Sequence, residues 1–224
     1  MKNIGRVSLV AISVLASASV TAASFDVRHE YKHSTEQHAT RVKLADRIGD
    51  FSYGGELKFK GEEGEFLKDL QNNGWELDLG YRVKLDEQWT MTFGAPIEGR
   101  TAGITYKPQV RMTYDLESVD GLSVSARYRY DIRQNNDEGN QRRHRVTGNV
   151  NYALDEWRFG FEANYYKADD YDIFDSGDTN YELNATARRH FGQWAPYVEF
   201  GDVNVDSTSD KRELRSRVGL TYSF

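Results

Sequence analysis

The chain has 224 residues and a formal net charge of −6, with 29 Lys and Arg against 35 Asp and Glu. It contains no cysteine, which excludes disulfide bonds and a cysteine nucleophile. The mean hydropathy of −0.73 would suit a water-soluble protein, but the chain also has 14 Tyr and an aromatic content of 13%. Beyond residue 23, no apolar stretch approaches the about 20 residues that a membrane-spanning helix needs.

The first 23 residues have the layout of a secretory signal peptide. Two basic residues precede an apolar run over 7–15, and small residues follow that suit cleavage after Ala22 or Ala23. The apolar run is too short to cross a bilayer as a helix. We therefore expect residues 1–23 to be removed and residues 24–224 to form one exported domain. That mature domain has a formal charge of −8, because the leader carries two basic and no acidic residues.

Most of the mature sequence alternates between apolar and polar residues, which is the period of a β-strand. In the opening stretch, Phe25, Val27 and Tyr31 alternate with charged residues, and the same pattern returns in eleven later segments. The predicted strands cover residues 25–31, 41–44, 51–60, 75–84, 89–97, 104–114, 122–130, 144–152, 157–165, 181–187, 194–200 and 214–224.

The predicted connections alternate in length. Those after even-numbered strands are compact, while those after odd-numbered strands are mostly longer and more charged, as at 61–73, 133–141 and 167–178. Short turns at one end and long polar loops at the other describe an outer-membrane barrel, and an even strand count places both chain ends at the short-turn end. The sequence therefore predicts an all-β fold, a 12-stranded antiparallel transmembrane β-barrel of the outer membrane.

Aromatic residues gather beside the predicted short turns, where a barrel needs them to form a girdle at the membrane interface. A soluble β-sandwich would bury aromatic residues in its core, but it would not gather them beside the turns. The girdle residues are Phe25, Phe51, Trp89, Tyr114, Tyr152, Trp157, Trp194, Tyr222 and Phe224.

If the apolar positions of the strands face lipid, the polar positions face the lumen. These positions are rich in bases, although the whole chain is acidic. The candidate substrate-binding residues are Arg28, Arg41, Lys43, Lys58, Arg82, Arg111, Arg127, Arg129, Arg145, Arg158, Arg188, Arg215 and Arg217. Further bases on this face are Arg47, Lys60, Lys84 and Lys107, and the main acids are Asp26, Glu30, Glu56, Glu76, Asp78, Glu162 and Glu199.

A guanidinium matches a carboxylate with two hydrogen bonds, and rings of Arg and Lys mark anion pores. The basic lumen therefore predicts a passive channel that hands a polyanion from one arginine to the next. The alternative is that these arginines only neutralise lumenal acids and brace a small barrel. Tyr166 and Tyr197, predicted to point inward, either offer ring faces to sugars or simply pack.

The first strand contains HEYKH at 29–33, a match to the zinc motif H-E-x-x-H. In an extended strand the two histidines are roughly 13 Å apart and Glu30 points to the opposite side. One zinc ion cannot bind both histidines directly in that conformation, so we expect no metal here. We expect Arg28, Glu30 and Lys32 on the pore wall and His33 near the outer rim.

Catalysis has little support in the sequence. There is no G-x-S-x-G elbow, and His144 and His190 lie near strand ends without a recognisable partner pattern. Enclosed bases also argue against nucleic-acid binding, which needs a displayed basic patch. We expect no catalytic residue and no cofactor. An outer-membrane hydrolase built on a barrel, and a structural or adhesive barrel whose loops bind a partner, are the alternatives from other classes.

Several segments resemble the oligogalacturonate-specific porin family, the KdgM type, which includes sialic-acid-induced porins. The segments are SFDVRHE at 24–30, SVSARYRYDIR at 123–133, GNVNYAL at 148–154, WAPYVEFGDV at 194–203 and RSRVGLTYSF at 215–224. The resemblance implies a small monomeric twelve-stranded barrel, surrounded by outer-membrane lipid, that passes acidic oligosaccharides such as pectin fragments through a pore with basic tracks.

The resemblance also places Arg28, Arg215 and Arg217 on the lumen wall. The closing Tyr222-Ser223-Phe224 looks like the terminal aromatic signal that the barrel-assembly machinery reads. The chain departs from the family in having Val27 where a Tyr is usual and in its long middle loops. Oligogalacturonate, sialic acid and alginate fragments therefore all stay open as the substrate.

Overall fold

The computed structural model of the protein describes residues 23–136, 139–174 and 177–224. The predicted signal peptide lies outside the described residues, apart from Ala23. In the described ranges, no helix combines the length and the apolar character needed to cross a membrane.

The described residues form a closed antiparallel barrel of twelve strands, in which each strand pairs with its neighbours in the chain. Pairing of β1 with β12, from Ser24 opposite Ser223 to Lys32 opposite Arg215, closes the ring. The predicted fold is therefore confirmed. The strands are β1 Ser24–Lys32, β2 Gln37–Ile48, β3 Phe51–Lys60, β4 Gln71–Lys84, β5 Trp89–Gly94 with Ile97–Arg100, β6 Gly103–Tyr106 with Gln109–Asp115, β7 Leu122–Asn135, β8 Gln141–Leu154, β9 Trp157–Ala168, β10 Thr179–Arg189, β11 Trp194–Asn204 and β12 Arg212–Ser223.

The barrel is polar inside and apolar outside. Large apolar side chains such as Leu57, Phe161 and Val218 expose between 48% and 56% of their surface, whereas Asn164 and Asp131 expose only 2% and 3%. A water-soluble protein would bury the first set and expose the second. Because every backbone group of a closed barrel can pair with a neighbouring strand, this inverted surface suits lipid.

Two strands are interrupted at the same level. Pro96 divides β5 and Pro108 divides β6, because proline has no N–H to donate to the ladder. The Lys107 N–H still donates to the Pro96 carbonyl at 2.9 Å, and the pairing with β4 keeps one register on both sides of the gap. The two predicted strands over 89–97 and 104–114 therefore each consist of two segments, and the barrel still has twelve strands.

The two ends of the barrel differ. The short-turn end has connections at 49–50, 85–88, 116–121, 155–156 and 190–193. The opposite end, the loop end, has connections at 33–36, 61–70, 101–102, 136–140, 169–178 and 205–211. Several loop-end strands are longer than predicted, because the alternation of polar and apolar residues continues past the predicted ends.

Aromatic rings pack together at the short-turn end. Trp89 lies 4.7 Å from Tyr114 on the next strand, and Trp194 lies 4.6 Å from Tyr222, measured between ring centroids. Tyr222 in turn contacts the ring of Phe224. These pairs lie at the end of the barrel where the sequence predicted the girdle, and they fix the level at which the barrel meets the membrane interface.

Candidate functional site

Two polar cavities of the lumen meet at Arg28 and Arg41, since these two side chains line both. The cavity toward the short-turn end has a volume of about 610 Å³ and is also lined by Arg158, Arg188 and Arg217. The cavity toward the loop end has a volume of about 510 Å³ and is lined chiefly by charged side chains. Together the cavities follow the barrel interior from one end to the other.

Strand register places the predicted bases on the lumen side, and it sets arginines directly opposite one another. Four cross-strand pairs of this kind occur in the described residues. They are Arg28 with Arg41, Arg111 with Arg127, Arg129 with Arg145, and Arg158 with Arg188. Like charges that face each other across a ladder destabilise a sheet. The fold therefore accepts an electrostatic cost to gather guanidinium groups in its lumen.

Six of the thirteen candidate residues are held by carboxylates. Arg41 reaches Asp26 at 2.7 Å, Lys43 reaches Asp78 at 2.6 Å and Arg217 reaches Glu30 at 2.6 Å. The other three pairs are Lys58 with Glu98, Arg82 with Asp50, and Arg129 with Asp131. For five of these bases, the interpretation that they neutralise lumenal acids describes the observed contacts, whereas Arg82 binds an exposed acid in the 49–50 turn.

The charges of the other seven candidates are not offset by a close carboxylate. Within the described ranges, no carboxylate comes within 4.0 Å of Arg28, Arg111, Arg127, Arg158 or Arg188. Arg145 and Arg215 have only distant partners, Glu162 at 3.7 Å and Glu30 at 3.9 Å. The charged groups that remain for an anion are therefore a defined subset of the predicted bases.

Most of these arginines are held by neutral acceptors instead. Arg127 donates to the Thr147 hydroxyl at 3.0 Å, and Arg215 donates to the Asn184 side-chain oxygen at 2.7 Å. Arg158 donates to two backbone carbonyls, each at 2.8 Å. A neutral acceptor orients a guanidinium without cancelling its charge.

Five of these seven arginines lie on one side of the barrel, with one on each of five consecutive strands, β6 to β10. We call this set the arginine wall: Arg111, Arg127, Arg145, Arg158 and Arg188. A different kind of surface covers part of the remaining wall, where Lys58 and Lys107 bind Glu76 and Glu98 at 2.7 to 2.9 Å. We call these four residues the lysine–glutamate cluster, and its formal charges cancel.

The two inward tyrosines pack rather than offering open ring faces. Tyr166 and Tyr197 are buried, with 6% and 7% exposed. The Arg188 guanidinium carbon lies 4.4 Å from the Tyr197 ring centroid, and the corresponding distance from Arg145 to Tyr166 is 5.0 Å. The sequence left packing and sugar stacking open, and the structure favours packing.

Some charged lumenal residues were absent from the sequence-based set, among them three near the ends of predicted strands. Asp131, Arg143 and Glu98 lie just beyond the predicted strand ends at 130, 144 and 97. Arg143 binds Asp131 at 2.7 Å and so shares that acid with Arg129. The signal that would have found the first two is the alternation itself, which continues for at least two more residues on each strand.

The residues of HEYKH lie in strand β1, and the strand separates them onto opposite faces. Glu30 points into the lumen and binds Arg217, whereas His29 lies on the outer side with its Nε2 atom 3.0 Å from Nδ1 of His38. His33 contacts the Ser216 hydroxyl at 2.8 Å beside the loop end, as expected of a residue near the rim. The part of the chain that the structure describes holds no cluster of three or more potential metal ligands.

One loop residue contributes to the mouth of the barrel. Tyr171, between β9 and β10, lines the loop-end cavity together with Arg143 and Arg133. Burial raises the pKa of the Tyr171 hydroxyl, so this group stays neutral and acts as a hydrogen-bond donor at ordinary pH. The mouth therefore combines cationic side chains with a neutral donor.

Comparison with known proteins agrees with this architecture. The family model for the oligogalacturonate-specific porin protein (KdgM) matches residues 16–224. The oligogalacturonate-specific porin KdgM of Dickeya dadantii is 28% identical over 96% of this chain and 97% of its own. The N-acetylneuraminic acid outer membrane channel protein NanC of Escherichia coli K12 is 25% identical over 91% of both chains.

Two further comparisons cover nearly the whole molecule. The uncharacterized protein YiiY of Salmonella typhimurium is 32% identical over 100% of both chains. A solved structure of the KdgM porin in complex with disordered oligogalacturonate has a TM-score of 0.69 and 26% identity, and it covers 90% of this chain and 99% of that one. KdgM and NanC are described as a porin and a channel rather than as enzymes. The chain therefore belongs to the KdgM family of oligogalacturonate-specific porins and is an outer-membrane β-barrel channel.

Proposed function

We propose that this channel is a passive porin for acidic oligosaccharides of the uronate type, such as oligogalacturonate. The observation that carries the proposal is the set of four arginine pairs that face each other across the lumenal ladders. A barrel that needed only internal bracing would place acids opposite these arginines. Anion binding in the lumen gives the like-charge pairs a function that offsets their cost.

The arginine wall suits a flexible polyanion. The register arranges the wall in two groups of closely spaced guanidiniums. Arg111 lies opposite Arg127, and Arg145 is two positions from the residue that faces Arg127 on β8. Arg158 lies opposite Arg188 nearer the short-turn end, where Ala153 of β8 faces Arg158. Each guanidinium is a forked donor that matches a carboxylate. Each carboxylate of the substrate would bind one guanidinium at a time, in contact with water. Such weak binding lets the carboxylate move from one arginine to the next, and conduction requires this.

The lysine–glutamate cluster complements this wall. Lys58 and Lys107 share the carboxylates of Glu76 and Glu98, so this surface carries little net charge but many hydrogen-bonding groups. We infer that substrate carboxylates follow the arginine wall, while sugar hydroxyls contact the cluster. An acidic sugar has both kinds of group along one chain.

Several acidic sugars carry the carboxylates that the lumenal arginines could bind, so the substrate must be chosen among them. KdgM is described as specific for oligogalacturonate and NanC as a channel for N-acetylneuraminic acid, and both ligands carry carboxylates. We place oligogalacturonate first because the matching family model carries that specificity. Sialic acid and alginate oligomers are the alternatives within the same proposal.

We also propose that the channel has no catalytic residue and acts as a monomer in outer-membrane lipid. The closing Tyr222-Ser223-Phe224 is the segment that we expect the barrel-assembly machinery to read. The alternative of a hydrolase on a barrel scaffold predicts turnover of lipid or peptide that survives purification. A porin predicts none.

Two arginines of β7 provide a matched test in planar bilayers. Arg127 has a neutral partner, whereas Arg129 is bound to Asp131. We expect Arg127→Gln to weaken block by trigalacturonate about fivefold, since a charge pair in water is worth about 1 kcal/mol. We expect Arg129→Gln to change it less than about twofold, because that charge is already compensated. Equal effects of both substitutions would contradict a binding role for the uncompensated charges.

A further inference from the structure

Each of the two buried tyrosines in the lumen is anchored at its hydroxyl. The Tyr197 hydroxyl donates to Asp26 at 3.2 Å, and the Tyr166 hydroxyl donates to Glu182 at 3.2 Å. With the hydroxyl bound to a carboxylate on another strand, the ring has a fixed orientation. One face of each ring supports a guanidinium of the arginine wall.

Arg188 is supported on two sides without a carboxylate of its own. Its guanidinium lies over the Tyr197 ring, with 4.4 Å from Cζ to the ring centroid. Its Nη1 atom donates to the Thr221 hydroxyl at 2.7 Å, and that hydroxyl donates to Asp26 at 2.7 Å. The negative charge of Asp26 is therefore one hydroxyl away from Arg188 and is bound directly by Arg41.

A glycine makes this arrangement possible. Gly219 on β12 lies opposite Tyr197 on β11 and opposite Arg28 on β1. A Cβ atom at Gly219 would lie 2.3 Å from Cζ of Tyr197, which is shorter than any allowed contact. The missing side chain lets the Tyr197 ring lie flat on the barrel wall, beneath Arg188.

Arg145 has similar support, on a ring that it shares with Arg143 at 4.7 Å, and it has Glu162 as a more distant partner at 3.7 Å. Its guanidinium carbon lies 5.0 Å from the Tyr166 ring centroid, and its Nε and Nη2 atoms donate to the Asn164 side-chain oxygen at 2.9 and 2.7 Å. Asn164 is almost fully buried and also accepts from Thr147 at 2.8 Å. A ring face and a neutral oxygen thus hold a second arginine at two points.

We propose that Tyr197 with Thr221, and Tyr166 with Asn164, are positioning residues for Arg188 and Arg145. They hold the two guanidiniums in fixed directions while leaving their charge for a substrate carboxylate. A preorganised side chain loses less conformational entropy on binding than a mobile one. This inference rests on the proposed function, and it names two of the five wall arginines as fixed docking points for the substrate.

The test is block by trigalacturonate of Tyr197→Leu in planar bilayers. The substitution removes the ring face but changes no charge, so single-channel conductance and the preference for anions should match the wild type. The block should weaken about threefold to tenfold, the range expected for loss of a cation–π contact and its orientation. A merely structural role would not reduce the affinity at unchanged conductance.

Three further variants test whether the effect comes from the support of Arg188. Tyr197→Phe keeps the ring under Arg188 and should retain most of the block. Tyr165→Leu alters a ring that is 52% exposed on the outer surface and should have no effect on the block. Thr221→Val removes the second support of Arg188 at nearly constant volume and should weaken the block as Tyr197→Leu does.

The outcomes separate this inference from the proposed function. Unchanged block in both Tyr197→Leu and Thr221→Val, with the wild type blocked, would overturn the positioning role and leave the porin intact. Absence of block in the wild type would overturn the proposed function itself. If Tyr197→Leu does not fold, as judged by heat-modifiable migration on gels, the Thr221→Val and Tyr197→Phe proteins decide the question alone.

Discussion

Asp131 lies in the loop-end cavity and binds two arginines, Arg129 and Arg143, each at 2.7 Å. It exposes only 3% of its surface, so both guanidiniums are held by one buried carboxylate. Asp131→Asn removes the carboxylate that offsets the two guanidiniums, so the lumen gains one net positive charge. We expect block by trigalacturonate to strengthen about fivefold, since a charge pair between a guanidinium and a substrate carboxylate in water contributes about 1 kcal/mol. The measurement is the concentration of trigalacturonate that halves the bilayer current.

Asp120→Asn is the matched control for Asp131→Asn. Asp120 is exposed in the turn between β6 and β7, outside the lumen. Both variants lose one negative charge, but only Asp131 lies in the lumen. An equal change in the two variants would mean that net charge, and not the local pairing, controls the block.

Gly219 gives a steric prediction at the same scale. We expect Gly219→Ala to lower the free energy of unfolding by about 1–3 kcal/mol, because the new methyl group overlaps the Tyr197 ring. Gly148→Ala is the control, since nothing lies within 4 Å of a Cβ atom there. Urea unfolding in detergent, followed by tryptophan fluorescence, compares the two. Equal loss in both variants would point to backbone effects instead.

The sequence allowed the lumenal face to be predicted residue by residue, but not the pairing within it. Arg127 and Arg129 are two positions apart on one strand and look equivalent in the sequence. Their difference depends on Asp131 and Thr147, and Thr147 belongs to the next strand and is brought close only by the register. Periodicity reports which way a side chain points, whereas partners depend on distances between strands.

At the scale of strands, the closure between β1 and β12 depends on polar contacts across the seam. Lys32 binds Glu213 at 2.7 Å, and the same carboxylate accepts the backbone N–H groups of Ser34 and Thr35. Farther along the seam, Arg217 of β12 binds Glu30 of β1 at 2.6 Å. The contacts join residues from the two ends of the chain, so they form only when the ring closes.

Glu213 is the residue to change at this seam. We expect Glu213→Gln to lower the free energy of unfolding by about 1–3 kcal/mol, because its buried carboxylate satisfies a lysine and two backbone donors. Glu65→Gln removes one partner of an exposed pair with Lys68 and should have little effect, because solvent screens that pair. Similar losses in both variants, measured by urea unfolding, would show that the seam contacts are not special.

The sequence predicts the strands themselves better than it predicts where they begin, end or are interrupted. Every predicted strand exists, because alternation is strong wherever one face meets lipid and the other meets water. The interruptions at Pro96 and Pro108 were not predicted, since the apolar and polar pattern continues through both prolines. Register on either side of the gap is held by the neighbouring strands, so a proline that would end an isolated strand only divides this one.

At the scale of the whole molecule, the net charge is negative, whereas part of the lumen wall is positively charged. Residues 24–224 have a formal charge of −8, yet guanidiniums without a close carboxylate occupy five consecutive strands. Exposed charges on the outer loops are screened over about 8–10 Å in physiological salt, so the lumenal charges act on a substrate more strongly. The molecule is therefore expected to favour anions despite its acidic composition.

The block by an acidic oligosaccharide should depend on ionic strength, because the lumenal bases act through electrostatic attraction. Raising the salt from 0.1 to 1 M shortens the screening length from about 10 to about 3 Å, so block by an acidic oligosaccharide should weaken steeply. A neutral oligosaccharide of equal length provides the control, because any block that it causes is steric. If salt affected both sugars equally, electrostatic binding in the lumen would be contradicted.

The most direct test of the central claim is the reversal potential of the purified wild-type protein in a planar bilayer under a salt gradient, recorded with and without trigalacturonate. The arginine wall predicts a reversal potential on the anion-selective side and partial block by trigalacturonate at concentrations where a neutral trisaccharide has no effect. A barrel that does not conduct, or one that prefers cations and is blocked equally by both sugars, would contradict the account.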